Sequence, residues 1–334
     1  MTAHRSHLWS AIARAVARTL ALYLGVLSLT FVLLRLAPGD PATFLLPPGA
    51  TAADAVRMRA TMGLDQPIAI QYARWLARTL QGDLGTSFTE QRSVVAVLGD
   101  ALPVSVALGG VSLLLSFAIG GAVGVLQAAR HRSRIDLALT ATSVLLASAP
   151  AYWMGLAAIA CFTYVASMLG MPPWMRLPAV GMTTPGIELH GLAHVADVAR
   201  HSILPVALLS AIGAAGVARY VRTSALDLID SDWIRTARAK GLGELAVLRR
   251  HLVANLRAPL ITLFALALPG TIAGSVFVET IFGWPGMGRL MVTSIAARDY
   301  PVVLGSAAAY AAIVIAANLA AELSLPFVDP RVGS

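Results

Sequence analysis

Cysteine is nearly absent: Cys161 is the one thiol among 334 residues, and it falls inside an apolar run. An intrachain disulfide and a thiolate metal site are therefore excluded. Charge is scarce too, at 13% of residues where a soluble domain carries about 25%. Recognisable catalytic chemistry is also missing. There is no G-x-x-x-x-G-K-[ST] phosphate loop and no H-E-x-x-H zinc helix, and "GTSFT" at 85–89 is not a G-x-S-x-G nucleophile turn. The chain reads as something other than an enzyme.

What is present is apolar, 57% of all residues. Six segments are long and apolar enough to span a bilayer: 16–36, 103–126, 137–169, 203–218, 258–280 and 302–325. The third is over-long, and "SAPAYW" at 148–153 predicts a proline-associated kink within one span. The fourth is the weakest, being short and ending at Arg219. The first resembles a signal peptide in its basic start, but Arg35 interrupts it and no small-x-small cleavage site follows, so it is read as an uncleaved anchor with Arg35 snorkelling to the far interface.

Basic residues orient these spans. The amino terminus carries Arg5, Arg14 and Arg18, the 127–136 loop Arg130, Arg132 and Arg134, and the 219–257 loop eight more, whereas the loops 170–202 and 281–301 have two each. Both termini are thus predicted to be cytoplasmic. The net charge of +8 is then an excess on the cytoplasmic side, shared among loops, and does not point to nucleic acid. Anionic lipid heads are the nearer match for such loops.

The predicted fold is an all-α membrane protein in three parts. Residues 1–36 form the cytoplasmic amino terminus and first span, 37–100 an external segment, and 101–334 a five-helix core containing the 219–257 loop. Ile70, Trp75, Leu76 and Leu80, followed by a Gly-Asp-Leu-Gly turn, predict a small helical cap in the external segment.

The 219–257 loop is the unusual one. Asp230, Ser231 and Asp232 are suited to capping a helix start, and Gly241 and Gly243 to stopping it, so a short helix is predicted over 232–240. Ala237, Ala239 and Gly241 are small enough for another backbone to approach closely, with Arg235, Arg238 and Lys240 at the edges. Topology alone needs basic residues but no capped, glycine-stopped helix. Elsewhere, Glu279 precedes "IFGWPGMG", and with Trp284 it is a candidate for the translocation path, though a carboxylate so near the interface also suits a structural role in that turn. Glu322 in the last span reads the same way. His190 and His194, four apart, with His201 nearby, form a weak metal candidate within a chain otherwise read as binding no metal.

"RTARAKGL" followed by "VLRRHLVANLRAPL" resembles the cytoplasmic signature loop of ABC-transporter permeases, in the dipeptide, oligopeptide and nickel importer branch. "LLRLAPGDPA", "LDQPIAIQYARWL", "GDLGTS", "VETIFGWPGMGRL", "ARDYPVV" and "FVDPR" match in the same order over most of the chain. The family's general loop has E-A-A, three residues, Gly, nine residues and I-x-L-P. Here Arg235, Thr236 and Ala237 hold the first positions and Gly241 the glycine, so any contact made by the missing Glu is lost. The resemblance implies six transmembrane helices and a coupling helix, Arg235, Thr236, Ala237, Arg238, Ala239, Lys240 and Gly241, that docks on an ATPase. It also implies a second homologous permease subunit, two ATP-binding subunits that use the ATP, an external substrate-binding protein and a place in the bacterial inner membrane. The implied cargo is a di- or oligopeptide, with nickel or another small solute as the alternative within the family. A stand-alone secondary transporter is the alternative outside it.

Overall fold

In the computed structural model residues 2–36, 42, 46, 49–272 and 276–328 are described. The "APGDP" run and the last residues of "FVDPR" lie outside them, as does the side chain of Glu322. The regular structure is helical: α1 (Thr2–Leu36), α2 (Ala52–Thr61), α3 (Ile68–Leu80), α4 (Val94–Ala129), α5 (Arg134–Ser148), α6 (Ala151–Met168), α7 (Leu192–Ile229), α8 (Asp232–Ala239), α9 (Glu244–Val247), α10 (Val253–Ile272), α11 (Val276–Ile281), α12 (Met287–Ala296) and α13 (Tyr300–Val328). Among the described residues five helices are long and apolar enough to cross a membrane, or six when the pair bent by 45°, Leu248–Arg257 with Pro259–Leu268, is counted as one span.

Contacts divide the chain into two units. The first comprises residues up to Pro103 together with Gly286–Leu319. Its helix α3 lies on α1: Phe31, 1% exposed, has its ring 5.3 Å from Trp75 and 5.4 Å from Tyr72, and Ser28 shares a 2.6 Å hydrogen bond with the Tyr72 hydroxyl. The helix predicted there thus forms, with Trp75 packed on α1 and Ile68, Ile70 and Leu80 left exposed. A second contact explains two matched motifs at once. Asp299 of "ARDYPVV" is fully buried and accepts from Ser87 Oγ at 2.6 Å, Thr89 N at 3.0 Å and Thr89 Oγ1 at 2.8 Å, all in the segment begun by "GDLGTS". Val94, Leu98 and Ala101 of α4 pack with Met287 and Val302 beneath it.

The second unit comprises Val104–Pro285 and Ala320–Ser334. Its α7 is far longer than the 203–218 expected of it: 38 residues, about 57 Å at 1.5 Å per residue. It is also the best buried candidate span, with half of its most apolar window enclosed against a third or less for the others. Ala, Gly and Ser make it a weak hydropathy signal because it meets protein rather than lipid. The contact with α4 is close. A Cβ on Gly120 would stand 2.6 Å from the Ala214 carbonyl oxygen, and one on Gly124 would stand 2.6 Å from Val221 Cβ. Gly120 and Gly124 form a small-xxx-small pair, the device by which membrane helices bring their backbones together.

The over-long third segment departs from expectation. It does not kink; it breaks. Ala149 adopts extended backbone, with φ −72 and ψ 132, and Pro150 begins a new helix. Proline disfavours helical backbone in the residue before it and offers no N–H, so the helix ends one residue early. Only the second piece, α6, is long and apolar enough to count as a span.

Candidate functional site: a short amphipathic helix and a buried carboxylate

Helix α8 occupies Asp232–Ala239, close to the predicted 232–240. Its stop is built as the glycine suggested. Gly241 has φ +80, Gly241 N donates to Arg238 O at 2.9 Å and Leu242 N to Ala237 O at 3.3 Å, a Schellman closure that few residues other than Gly permit. Its start differs. Ser231 holds the N-cap position with extended backbone, but its hydroxyl donates back to Leu228 O at 2.5 Å and makes no capping bond.

The helix has two faces. Ile234 is fully buried and Ala237 is 5% exposed, packed with Val221 and Ala225 of α7 and with Val247, Leu252 and Leu256 beyond the stop. Trp233, Arg235, Thr236, Ala239, Lys240 and Gly241 are exposed. Arg238 is also on the exposed side, where its guanidinium donates to Glu244 at 2.7 Å. That bond raises the Arg238 pKa and lowers that of Glu244. The small-residue strip is therefore corrected. Ala237 faces this chain's own core, and only Ala239 and Gly241 are free for a close approach from outside. Trp233, beside the His251 ring at 6.3 Å, is an exposed aromatic that the sequence reading passed over, and large exposed aromatics anchor interfaces.

The loop at 130–136 is tied to α7. Arg222 grips Asp136 with two bonds, Nε to Oδ1 at 2.8 Å and Nη2 to Oδ2 at 2.9 Å, and Arg132 N adds a third at 3.0 Å. The Arg222 bond is the main cause of the fall in the Asp136 pKa to about 2.

Glu279 and Trp284 are brought together by the turn after α11. Glu279 is wholly buried and its Oε1 accepts from Ser105 Oγ at 2.7 Å, while Trp284 N donates to Glu279 O at 2.8 Å. Trp284 is 4% exposed, and its indole N–H has no hydrogen-bond acceptor among the described residues. Both sit inside the unit as parts of a packed turn, so the structural role is the one their surroundings suit. Gly283, with φ +62, allows that turn, and Gly181 N donates to Phe282 O across it at 2.8 Å.

The three histidines do not form one face. Helix α7 starts at Leu192, so His190 precedes it. His194 is exposed, whereas His201 is 5% exposed with Nδ1 at 2.9 Å from Asp197 O. Asp197 itself accepts from Thr184 N and Oγ1, both at 2.7 Å. Among the described residues no group of three or more His, Cys, Asp or Glu side chains has the geometry to hold a metal ion.

Apolar helices in this number, with a short amphipathic helix held by its apolar face and open on its polar one, make this a multi-span helical membrane protein. The chain belongs to the family described as "Binding-protein-dependent transport system inner membrane component", which it matches over residues 120–334, with the family's amino-terminal part matched over 10–109. It is an ABC importer permease. It is 38% identical to the "Oligopeptide transport system permease protein AppB" of Bacillus subtilis, over 96% of this chain and 98% of that one. It is 34% identical to the "Probable D,D-dipeptide transport system permease protein DdpB" of Escherichia coli, over 97% and 98% respectively. A solved chain of the MetNI methionine ABC transporter in an inward facing conformation shares the fold, with a TM-score of 0.50 at 16% identity, covering 70% of this chain and 97% of that one.

Proposed function

We propose that this chain forms half of the translocation path of an ATP-driven importer of di- or oligopeptides, with α8 as the element that receives the work of a partner ATPase. The observation that carries the coupling role is the division of α8 into a buried face and a free polar face. An element that only marked topology would need neither a Schellman stop nor a fully buried isoleucine. The peptide cargo rests on the relatives' names. A second permease subunit, two ATP-binding subunits and an external binding protein complete the assembly. Both termini and α8 lie on the cytoplasmic side, following the basic loops.

The geometry suggests how force would pass. Ile234 and Ala237 join α8 to α7 and to the segment leading into α10 through fully packed side chains. Close-packed interiors transmit displacement rather than absorb it. A push on the free face of α8 would thus move the cytoplasmic ends of α7 and α10 together. Arg222 and Asp136 add α5 to the same moving group. The chain contributes no nucleotide chemistry of its own; ATP is bound and spent by the partners.

The test separates docking from folding. Replacing exposed Ala239 with Trp is expected to leave the chain folded in the membrane while abolishing peptide uptake and co-purification of the ATPase. Normal uptake with full ATPase recovery in that variant would overturn the coupling role.

A further inference from the structure

A cavity of about 820 Å³ in the first unit has a composition that transport by the bundle does not call for. Three arginines line it. Arg35 comes from the end of α1, and Arg74 and Arg78 stand one turn apart on α3; Phe31, Trp75 and Tyr300 supply aromatic wall. Asp83 is the one acid in the lining, and its Oδ1 already accepts from Gly85 N at 2.9 Å. Arg35 lies with its guanidinium carbon 5.2 Å from the centre of the Phe31 ring. Arg74 and Arg78 make no ion pair among the described residues. Three guanidinium groups against one carboxylate thus leave a surplus of positive charge facing one space.

The place of this cavity narrows its occupant. Arg35 is the penultimate residue of the span Val16–Leu36, and Tyr300 is the first residue of the span Tyr300–Leu319. Two spans therefore end at its wall, which puts it at the level of the lipid headgroups. Aromatic and arginine side chains gather at that level. Beside it, Leu29, Leu33 and Leu36 of α1 are 59%, 58% and 74% exposed, an apolar strip for acyl chains.

We propose that this cavity binds the headgroup of an anionic phospholipid, its phosphate held by Arg35, Arg74 and Arg78 and its acyl chains laid along α1. Guanidinium groups match phosphate oxygens in pairs, which a carboxylate-poor, arginine-lined wall is suited to exploit. A zwitterionic lipid would bring its own cation against the same arginines, so phosphatidylglycerol is preferred over phosphatidylcholine. The ligand would brace the cap, α3, against α1 at the point where the Phe31, Tyr72 and Trp75 rings meet.

Purified full-length chain in detergent is titrated with phosphatidylglycerol, phosphatidylcholine or inorganic phosphate while thermal unfolding is followed. Phosphatidylglycerol is expected to raise Tm, with the other two inert at equal concentration. In the Arg74→Gln/Arg78→Gln double variant the titration midpoint is expected to weaken about tenfold or more, and each single variant to fall between. Both side chains are exposed, so folding is preserved, and lipid retained in native mass spectrometry gives a second reading: the double variant loses one phosphatidylglycerol. The proposal is overturned if phosphatidylcholine acts equally, if the double variant keeps the native midpoint and lipid count, or if inorganic phosphate alone reproduces the shift, which would make this a free-anion site.

Discussion

Asp299 shows how much a single buried side chain can organise. With no solvent exposure and acceptor bonds from Ser87 and Thr89 more than 200 residues away, it fastens the segment before α4 to the start of α13. Asp299→Ala strands the donors it served, a loss on the order of 1–3 kcal/mol for each buried group left unpaired. Limited proteolysis should then cut within residues 81–92 at a rate well above that of the native chain, while the 219–257 loop is cleaved as before. Asp136 gives the pH counterpart. Its carboxyl is held at about 2 by Arg222, below the ordinary carboxylate value of 3.8. A carboxylate lowered on folding contributes stability that is complete above its unfolded pKa and is lost as pH falls through the folded value. Thermal stability in detergent should therefore fall between about pH 5 and pH 2, and Asp136→Asn should flatten that dependence while lowering stability at neutral pH by about 1–3 kcal/mol. An unchanged slope in the variant would assign the acid sensitivity to other groups.

Among elements, the seam between α4 and α7 is the least forgiving. Any side chain at Gly120 would meet the main-chain oxygen of Ala214, which cannot turn away as a flexible side chain can. Gly120→Leu and Gly124→Leu are each expected to remove most of the folded protein from the membrane fraction, whereas Gly121→Leu, with nothing within 4 Å of its Cβ, should express normally. The "GGAVG" run containing all three was readable beforehand, but the sequence does not say which of the glycines faces a neighbour. The same limit governs α8. Its position and its glycine stop follow from local chemistry, which acts within a few residues and is legible there. That Ala237 turns inward and Ala239 outward depends on where α7 and α10 stand, information that no local pattern holds. Hydropathy misjudged α7 for a related reason: it measures fitness for lipid, and α7 is packed by protein along half its apolar length. Pro150 does more than kink the chain, because a missing N–H and a restricted preceding residue together end a helix where neighbouring packing does not restore it.

At the scale of the whole molecule, the division of labour is the remaining question. The chain has apolar spans and a packed lever, yet the intramembrane carboxylate that its structure describes in detail, Glu279, is enclosed by Ser105 and its own turn. A proton- or sodium-driven carrier needs ionisable groups that alternate between the two sides of the membrane, and a wholly buried, hydrogen-bonded Glu is poorly placed for that. On the coupling role proposed above, energy arrives from outside the chain, and α8 is the element with a free face to receive it. Proteoliposomes containing this chain alone should show no peptide accumulation under an imposed proton or sodium gradient. Adding the second permease subunit, the ATPases and the binding protein should give uptake that requires ATP. In that full assembly Glu279→Gln, which keeps the size and an acceptor for Ser105, should retain at least about half of the native uptake, since losing one charge without losing the hydrogen bond costs little where the charge does no transport work. Gradient-driven accumulation by the lone chain, abolished by Glu279→Gln, would instead make this a self-sufficient carrier and leave α8 without a coupling role.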